Sequence, residues 1–401
     1  MTPTNATRLA VGDVLEVLIE KVAHGGHFIA RHGGAVIFVR HAIPGERARI
    51  TVTSTGASFN RGDVVEVLEP SPDRVIAPCA FAHRTGCGGC DFQHISVARQ
   101  RQLKADVITE QFARIAKRDL QVEVEEVSGP LHWRTRSIAT TNSLGELGFY
   151  GARSHTVVPI SDCLITVDEM RMPELAARKW KPDIRVEIAT SNMKERNIAL
   201  APKRGEGKAR LTEGASVLHE NVAGKVLEVS QGSFWQSHTK APEKLIEAVL
   251  DFAQLQLGEH VLDLYGGVGL FTSAMVDVVG SVGSIVLIEG SKSATGDAAR
   301  NFADQLNVRI LTGDVAQHLP HIDSAQVVVL DPPREGAGKV VLAQISRLAP
   351  RAVVYVACDP AALARDTGYF LEQGYSLTKI KAFDLFPMTH HVECVALFNP
   401  A

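Results

Sequence analysis

Cys358 stands where a thiol can act as a nucleophile. It ends the hydrophobic run VVYVACDP, which reads as a buried strand, and Asp359-Pro360 forces a turn directly after it. The thiol is therefore expected at the edge of a sheet, not packed inside it. A thiolate there can add to carbon 6 of a uracil ring, which leaves enolate character on carbon 5 and lets that carbon, otherwise a poor nucleophile, take a methyl group. The carbon 5 proton must then leave before the cysteine is eliminated, which calls for a general base. Glu393, in HHVECVALF beside His390 and His391, is the candidate. The commoner use of a lone strand cysteine is as a small buried hydrophobe, and only the neighbouring motifs tilt Cys358 away from that. Cys394, adjacent to Glu393, should point to the opposite strand face and reads as core.

A methyl donor needs its own site. In VLDLYGGVGLF a strand carrying Asp263 runs into Gly266, Gly267 and Gly269, a turn dense enough in glycine for the backbone to approach a ligand. Glu289 ends the next apolar run, SIVLIEG, where a carboxylate accepts from ribose hydroxyls. These features suit S-adenosylmethionine and also a nicotinamide dinucleotide. Asp314, in LTGD, is placed either to meet an adenine amino group or to cap the helix that follows, and both roles are compatible. DPPR spans Asp331 to Arg334. Related motifs in amino-group methyltransferases end in an aromatic residue that holds the target base; Arg334 in that place argues for a carbon target.

Three of the six cysteines, Cys79, Cys87 and Cys90, lie close together, with Cys163 further along. Without an export signal, and in a reducing cytosol, they read as ligands and not as a disulfide framework. Four thiolates with a Cys-Gly-Gly-Cys knuckle suit structural zinc and an iron-sulfur cluster equally.

The elements that must carry these residues fall into three parts. Residues 1–69 alternate short strand-like runs with Gly-Gly and Pro-Gly turns, the pattern of an OB-like β-barrel. Its Arg31, Arg40, Arg47, Arg49 and Arg61 are either phosphate contacts or a plain solvated face. Residues 70–235 open on the proline-bearing SPDRVIAP, carry the cysteines, and are mainly strands, apart from an amphipathic helix over about 95–116 placed to pack with the third part. Residues 236–401 alternate apolar runs with helical stretches, as in a Rossmann-like doubly wound sheet, where ligands bind beyond the strand carboxyl ends. Asp263, Glu289, Asp314, Asp331 and Cys358 all fall at or near such ends. The fold class is thus multidomain α/β.

In the order of the chain, FWQ (Phe234 to Gln236), DLYGGVG, IEG, GD, DPPR, ACDP and HVECV resemble the bacterial uracil-5-methyltransferases acting on 23S rRNA and tRNA. The segment HFIARHGGAVIFVRHAIPGERARITV looks like a TRAM domain, the RNA-binding barrel that accompanies the rRNA branch in particular. The resemblance implies that Gln236, Tyr265, Glu289, Asp314 and Asp331 bind S-adenosylmethionine, that Cys358 attacks carbon 6, and that Glu393 takes the proton. It also implies that Cys79, Cys87, Cys90 and Cys163 hold a [4Fe-4S] cluster, although the Cys79 to Cys87 spacing is longer than usual. Where this chain has Gly266, Leu270 and ACDP, the family often has Cys, Asn and SCNP. Such an enzyme pulls its target base out of the stack, and Phe234 is either a wall of that pocket or core.

Composition neither adds to this nor contradicts it. Lys plus Arg total 42 against 45 Asp plus Glu in 401 residues, so RNA binding must rest on local patches and not on net charge. No long apolar run or signal-like start is present, so a cytoplasmic monomer is expected, with RNA as partner, 23S rRNA before tRNA, and no membrane association.

Overall fold

The computed structural model describes residues 9–203, 207 and 209–401; the first eight residues of the expected 1–69 segment lie outside it. Five strands, β1 (Val14–Ala23), β2 (His27–His32), β3 (Ala35–Arg40), β4 (Arg47–Ser54) and β5 (Asn60–Glu69), close into a barrel in the order β1-β2-β3-β5-β4. Strict alternation drives this. In β3, Ala35, Ile37 and Val39 are buried while the residues between them are not, so every second side chain enters the lumen. Closure leaves no free edge in the set. The β1–β2 turn needs left-handed backbone at Gly25 and Gly26, with φ of 87° and 76°.

Helix α1 (Val97–Gln111) begins later than the sequence pattern suggests, because the Ser96 hydroxyl accepts from the Arg99 N–H and fixes the start. Its last turn, Phe112–Ala116, widens to π pitch and stops at Lys117 with φ of 56°. The helix splints two cores. Leu103 packs with barrel residues Phe28 and Ile50, whereas Ile108 and Phe112 join the interior of the C-terminal sheet. Lys104 on the same helix is fully buried and donates to Asp384 at 2.5 Å.

After β6 (Val124–Glu126) comes a sheet of β7 (Arg136–Thr141), β8 (Leu147–Tyr150), β9 (Val157–Pro159), β10 (Ile184–Thr190), β11 (Arg196–Pro202) and β12 (Arg210–Glu213), ordered β12-β11-β10-β7-β8-β9. The short helix α2 (Met172–Ala177) buries Met172 and Leu175 against it. A hairpin, β13 (Val217–Val222) and β14 (Lys225–Ser230), then places Val222, Leu227 and Val229 among residues of the last part.

That part alternates strands and helices: α3 (Ala241–Ala253), β15 (His260–Leu264), α4 (Leu270–Val279), β16 (Ser284–Glu289), α5 (Lys292–Asn301), β17 (Val308–Thr312), α6 (Val315–His318), β18 (Val327–Leu330), α7 (Gly338–Arg347), β19 (Ala352–Ala357), α8 (Pro360–Glu372), β20 (Tyr375–Asp384) and β21 (Glu393–Pro400). The sheet order is β17-β16-β15-β18-β19-β21-β20-β6. Five strands run parallel, β21 returns antiparallel against β19, and β6 is borrowed from the middle of the chain to pair with β20. All four residues of β18 are buried, as a strand covered on both faces requires. Among the described residues no helix is long and apolar enough to cross a membrane.

Candidate active site

The glycine turn after β15 is built as tightly as its composition suggests. Tyr265, Gly267 and Gly269 have φ of 59°, 57° and 97°, and a Cβ on Gly269 would lie 2.2 Å from the Phe302 ring. Across it, Glu289 accepts from the Gly267 N–H (3.1 Å) and from the Ser291 N–H (2.6 Å), which fixes the carboxylate beside the turn. Asp263 is fully buried. Its Oδ2 accepts from the Thr272 N–H (3.0 Å) and hydroxyl (2.7 Å), while its Oδ1 has no partner. Burial lifts this carboxyl to about 6. Asp263 thus sits beneath the glycine turn, close under Gly266, as a buried carboxylate with one oxygen unpaired.

Gln236 donates to Asp331 Oδ2 at 3.2 Å, and both line a cleft with Phe234, Tyr265 and Gly267. Phe234 is 66% exposed, which excludes plain core packing and leaves it on the cleft rim. Asp331, half-buried where β18 ends, is pushed up to about 7 by enclosure and by Asp263. Burial also lifts the Tyr265 hydroxyl to about 12, helped by Asp314. Asp314 caps α6, accepting from the Ala316 N–H at 2.7 Å, and is exposed on its other side. Gln236, Tyr265, Glu289, Asp314 and Asp331, scattered along the sequence, thus ring the carboxyl ends of β15, β16, β17 and β18.

Cys358 and Glu393 meet through strand register. β19 and β21 pair antiparallel, with Ala357 opposite Cys394. The ladder ends there; Cys358 and Glu393 are the next residue on each strand, more than thirty residues apart in sequence yet near enough for the Glu393 charge to act on the thiol. Cys394 is buried, as core. Glu393 is 3% exposed and its carboxyl is held well above the usual range, by burial first and then by Asp331, with Arg334 opposing. Burial pushes the Cys358 thiol to about 12, reinforced by Glu393 and Asp331 and opposed by Arg334. Arg334 is thus a cation at this carboxylate-rich edge. Its guanidinium lies 3.3 Å from His391, which burial keeps neutral with a pKa of about 3.

The cleft in front of Cys358 has walls from all three parts: the β1–β2 turn, α1, and Arg334, Asp359, His390 and His391. Sequence reading gave no role to His24 or Lys104, which line it. Nothing local marks them, because each acquires its neighbours only when the barrel and α1 dock.

The four cysteines Cys79, Cys87, Cys90 and Cys163 line one small concavity with Phe81 and Phe149 as apolar walls. All are free thiols. No three His, Cys, Asp or Glu side chains among the described residues converge closely enough to hold a single metal ion. Burial raises the Cys90 thiol to about 12 and that of Cys163 to about 11, so ionising them requires a compensating charge.

Residues 207–400 match the tRNA (Uracil-5-)-methyltransferase family and residues 8–65 the TRAM domain. A relative from Streptomyces coelicolor, described as an uncharacterized RNA methyltransferase, is 41% identical over 98% of this chain and 94% of its own length. The 23S rRNA (uracil(1939)-C(5))-methyltransferase RlmD of Shewanella amazonensis is 32% identical over 99% of this chain and 98% of its own. Among solved structures, the tRNA (uracil-54, C5)-methyltransferase of Pyrococcus abyssi, in complex with S-adenosyl-L-homocysteine, superposes with a TM-score of 0.72. It covers 96% of this chain and 99% of its own at 20% identity, a likeness of fold.

Proposed function

This chain belongs to the RNA uracil-5-methyltransferase family, and we propose that it methylates carbon 5 of a uridine in 23S rRNA through a covalent adduct on Cys358. The observation that carries the reading is the antiparallel pairing of β19 and β21, which brings a cleft-lining thiol and a buried carboxylate to adjoining strand ends, close enough for the charge of one to act on the other.

Gln236, Tyr265, Glu289, Asp314 and Asp331 are the residues that would hold S-adenosylmethionine; the unpartnered Asp263 oxygen and the carboxylates around it suit its positive charge. When bound, it supplies an electrophilic methyl on a sulfonium. The Cys358 thiol releases its proton to water in the cleft, and its sulfur forms a bond to carbon 6 while the double-bond pair moves to carbon 5 and the oxygen on carbon 4. Carbon 5 takes the methyl, whose former bonding pair stays behind on the donor sulfur. Glu393 then accepts the carbon 5 proton, the freed pair restores the double bond, and the bond from carbon 6 to sulfur breaks. A carboxylate whose proton affinity is raised this far is a competent base once Arg334, which opposes the rise, holds it ionised at the start. Arg334, where amino-group enzymes carry an aromatic ring, supports the carbon target.

We propose, on the family resemblance, that Cys79, Cys87, Cys90 and Cys163, which line one concavity, hold a [4Fe-4S] cluster; the thiols by themselves suit structural zinc equally. The role of the cluster would be structural, bracing the loops beside the barrel. Iron and sulfide analysis of anaerobically purified protein tests it: four irons, lost together with visible absorbance in Cys90→Ser, is the expected result, and stoichiometric zinc would overturn it.

The test of function is transfer of labelled methyl to unmodified 23S rRNA and tRNA transcripts, by wild type and Cys358→Ala in parallel. Label as 5-methyluridine in rRNA, absent with the variant, is expected. Label in tRNA alone would move the target, and activity surviving in Cys358→Ala would overturn the covalent route.

A further inference from the structure

The barrel reaches the catalytic edge through a single turn. His24, Gly25 and Gly26, between β1 and β2, line the same cleft as Cys358. His24 Nε2 lies 3.0 Å from Oδ2 of Asp359, the residue that follows Cys358. The other oxygen of Asp359 accepts from the Ala361 and Ala362 N–H groups, at 3.0 and 2.9 Å, and so caps α8. The docking is close: a Cβ on Gly26 would come within 2.8 Å of His390 Nδ1.

Asp359 occupies a costly place for a negative charge. Together with Glu393 and Asp331 it opposes ionisation of the Cys358 thiol. We infer that His24 is a positioning residue for methyl transfer, neutralising the carboxylate beside the nucleophile and so making formation of the Cys358 adduct depend on the docked barrel. The inference rests on the reading of Cys358 as nucleophile.

The surroundings of His24 support a protonated ring. The hydrogen bond to Asp359 raises its pKa, against partial burial and the charge of Arg114 from the π turn. Lys21, on β1 just before the turn, is occupied by Glu110 of α1 at 2.6 Å. Asp359 responds in kind. Burial works against its ionisation, but the bonds from His24 and the two N–H groups hold its carboxyl below the ordinary value. RNA pulling on the barrel would therefore move the group that balances charge next to the thiol.

RNA carrying 5-fluorouridine provides the assay, using full-length protein with S-adenosylmethionine. Fluorine replaces the carbon 5 hydrogen and cannot leave as a cation, so after methyl transfer no proton is available to Glu393 and the sulfur bond persists. Wild type should form a denaturation-resistant complex and Cys358→Ala none. No complex from wild type would end the Cys358 reading and this inference with it. With the wild-type complex in hand, His24→Ala should slow its formation about tenfold below the His24 titration, and the two rates should converge as pH rises through it. Asp359→Asn removes the charge and keeps a helix cap. Added to His24→Ala, it should restore most of the rate. A His24→Ala rate equal to wild type, or a double variant no faster than His24→Ala while both bind S-adenosylmethionine like wild type, would overturn the role of His24 and leave Cys358 standing.

Discussion

Asp263→Asn should change how the ligand-free protein responds to pH. The side chain is wholly buried, one oxygen has no partner, and its carboxyl sits at about 6 against an ordinary 3.8. A raised folded-state pKa means that the native chain binds the proton more tightly than the unfolded chain does. Stability linked to this group is therefore complete below the unfolded value and is lost as pH rises through the folded one. The gap of about two pH units corresponds to ~3 kcal/mol between acid and neutral conditions. Coupling adds to this, because Asp331 is raised in part by Asp263 and relaxes when that charge is removed. Urea unfolding at pH ~4.5 and ~7.5 reads the effect, since the carboxylates other than the coupled Asp331 contribute to both chains and cancel in the comparison. Because pH ~4.5 already lies above the unfolded value, this window captures only part of the full range, and wild type should lose ~2 kcal/mol more than Asp263→Asn on going to neutral pH. Equal losses, to within ~0.5 kcal/mol, would refute the claim that this site holds a strained, unbalanced carboxylate awaiting a cation.

Glu393→Gln should lower turnover by ~10²–10⁴-fold while letting the RNA adduct accumulate, seen as a complex that survives denaturation; turnover near the wild-type rate would remove Glu393 as the base. Lys104→Met leaves Asp384 buried without its partner and should cost ~3–5 kcal/mol in urea unfolding, with Asp384→Leu in the same chain recovering much of it. A single variant as stable as wild type would contradict that account. Phe234→Ala, at a largely exposed position, should change stability by less than ~0.5 kcal/mol yet lower kcat/KM for RNA; unchanged kcat/KM would leave Phe234 a bystander on the cleft rim.

Much of this protein is written locally. Alternation of period two marks the barrel strands, since a pleated strand with one wet face must alternate, and β3 does so residue by residue. Apolar runs such as QVVVL mark strands covered on both faces, and dense glycine marks a turn that side chains would block, as the Gly269 contact with Phe302 bears out. Because doubly wound sheets present ligands at strand ends, residues at the ends of such runs were legible as candidates before any contact was known. Periodicity places this helix over about 95–116, and one hydroxyl closing one N–H fixes its first residue at Val97.

Tertiary structure decided what no window of sequence contains. That Cys358 comes near Glu393 depends on β21 returning antiparallel beside β19, a choice of sheet order and register that neither strand encodes alone. That β6 completes the catalytic sheet, that α1 joins two cores, and that the distant Cys163 shares one concavity with Cys79, Cys87 and Cys90 all follow from long-range packing. The charges at the site belong to this second class as well. Burial and neighbours set the proton affinities of Cys358, Asp331 and Glu393, and the partner of Asp359 arrives from a barrel turn more than three hundred residues away. Side-chain type and period are properties of a segment, whereas desolvation and Coulomb interactions are properties of the folded neighbourhood.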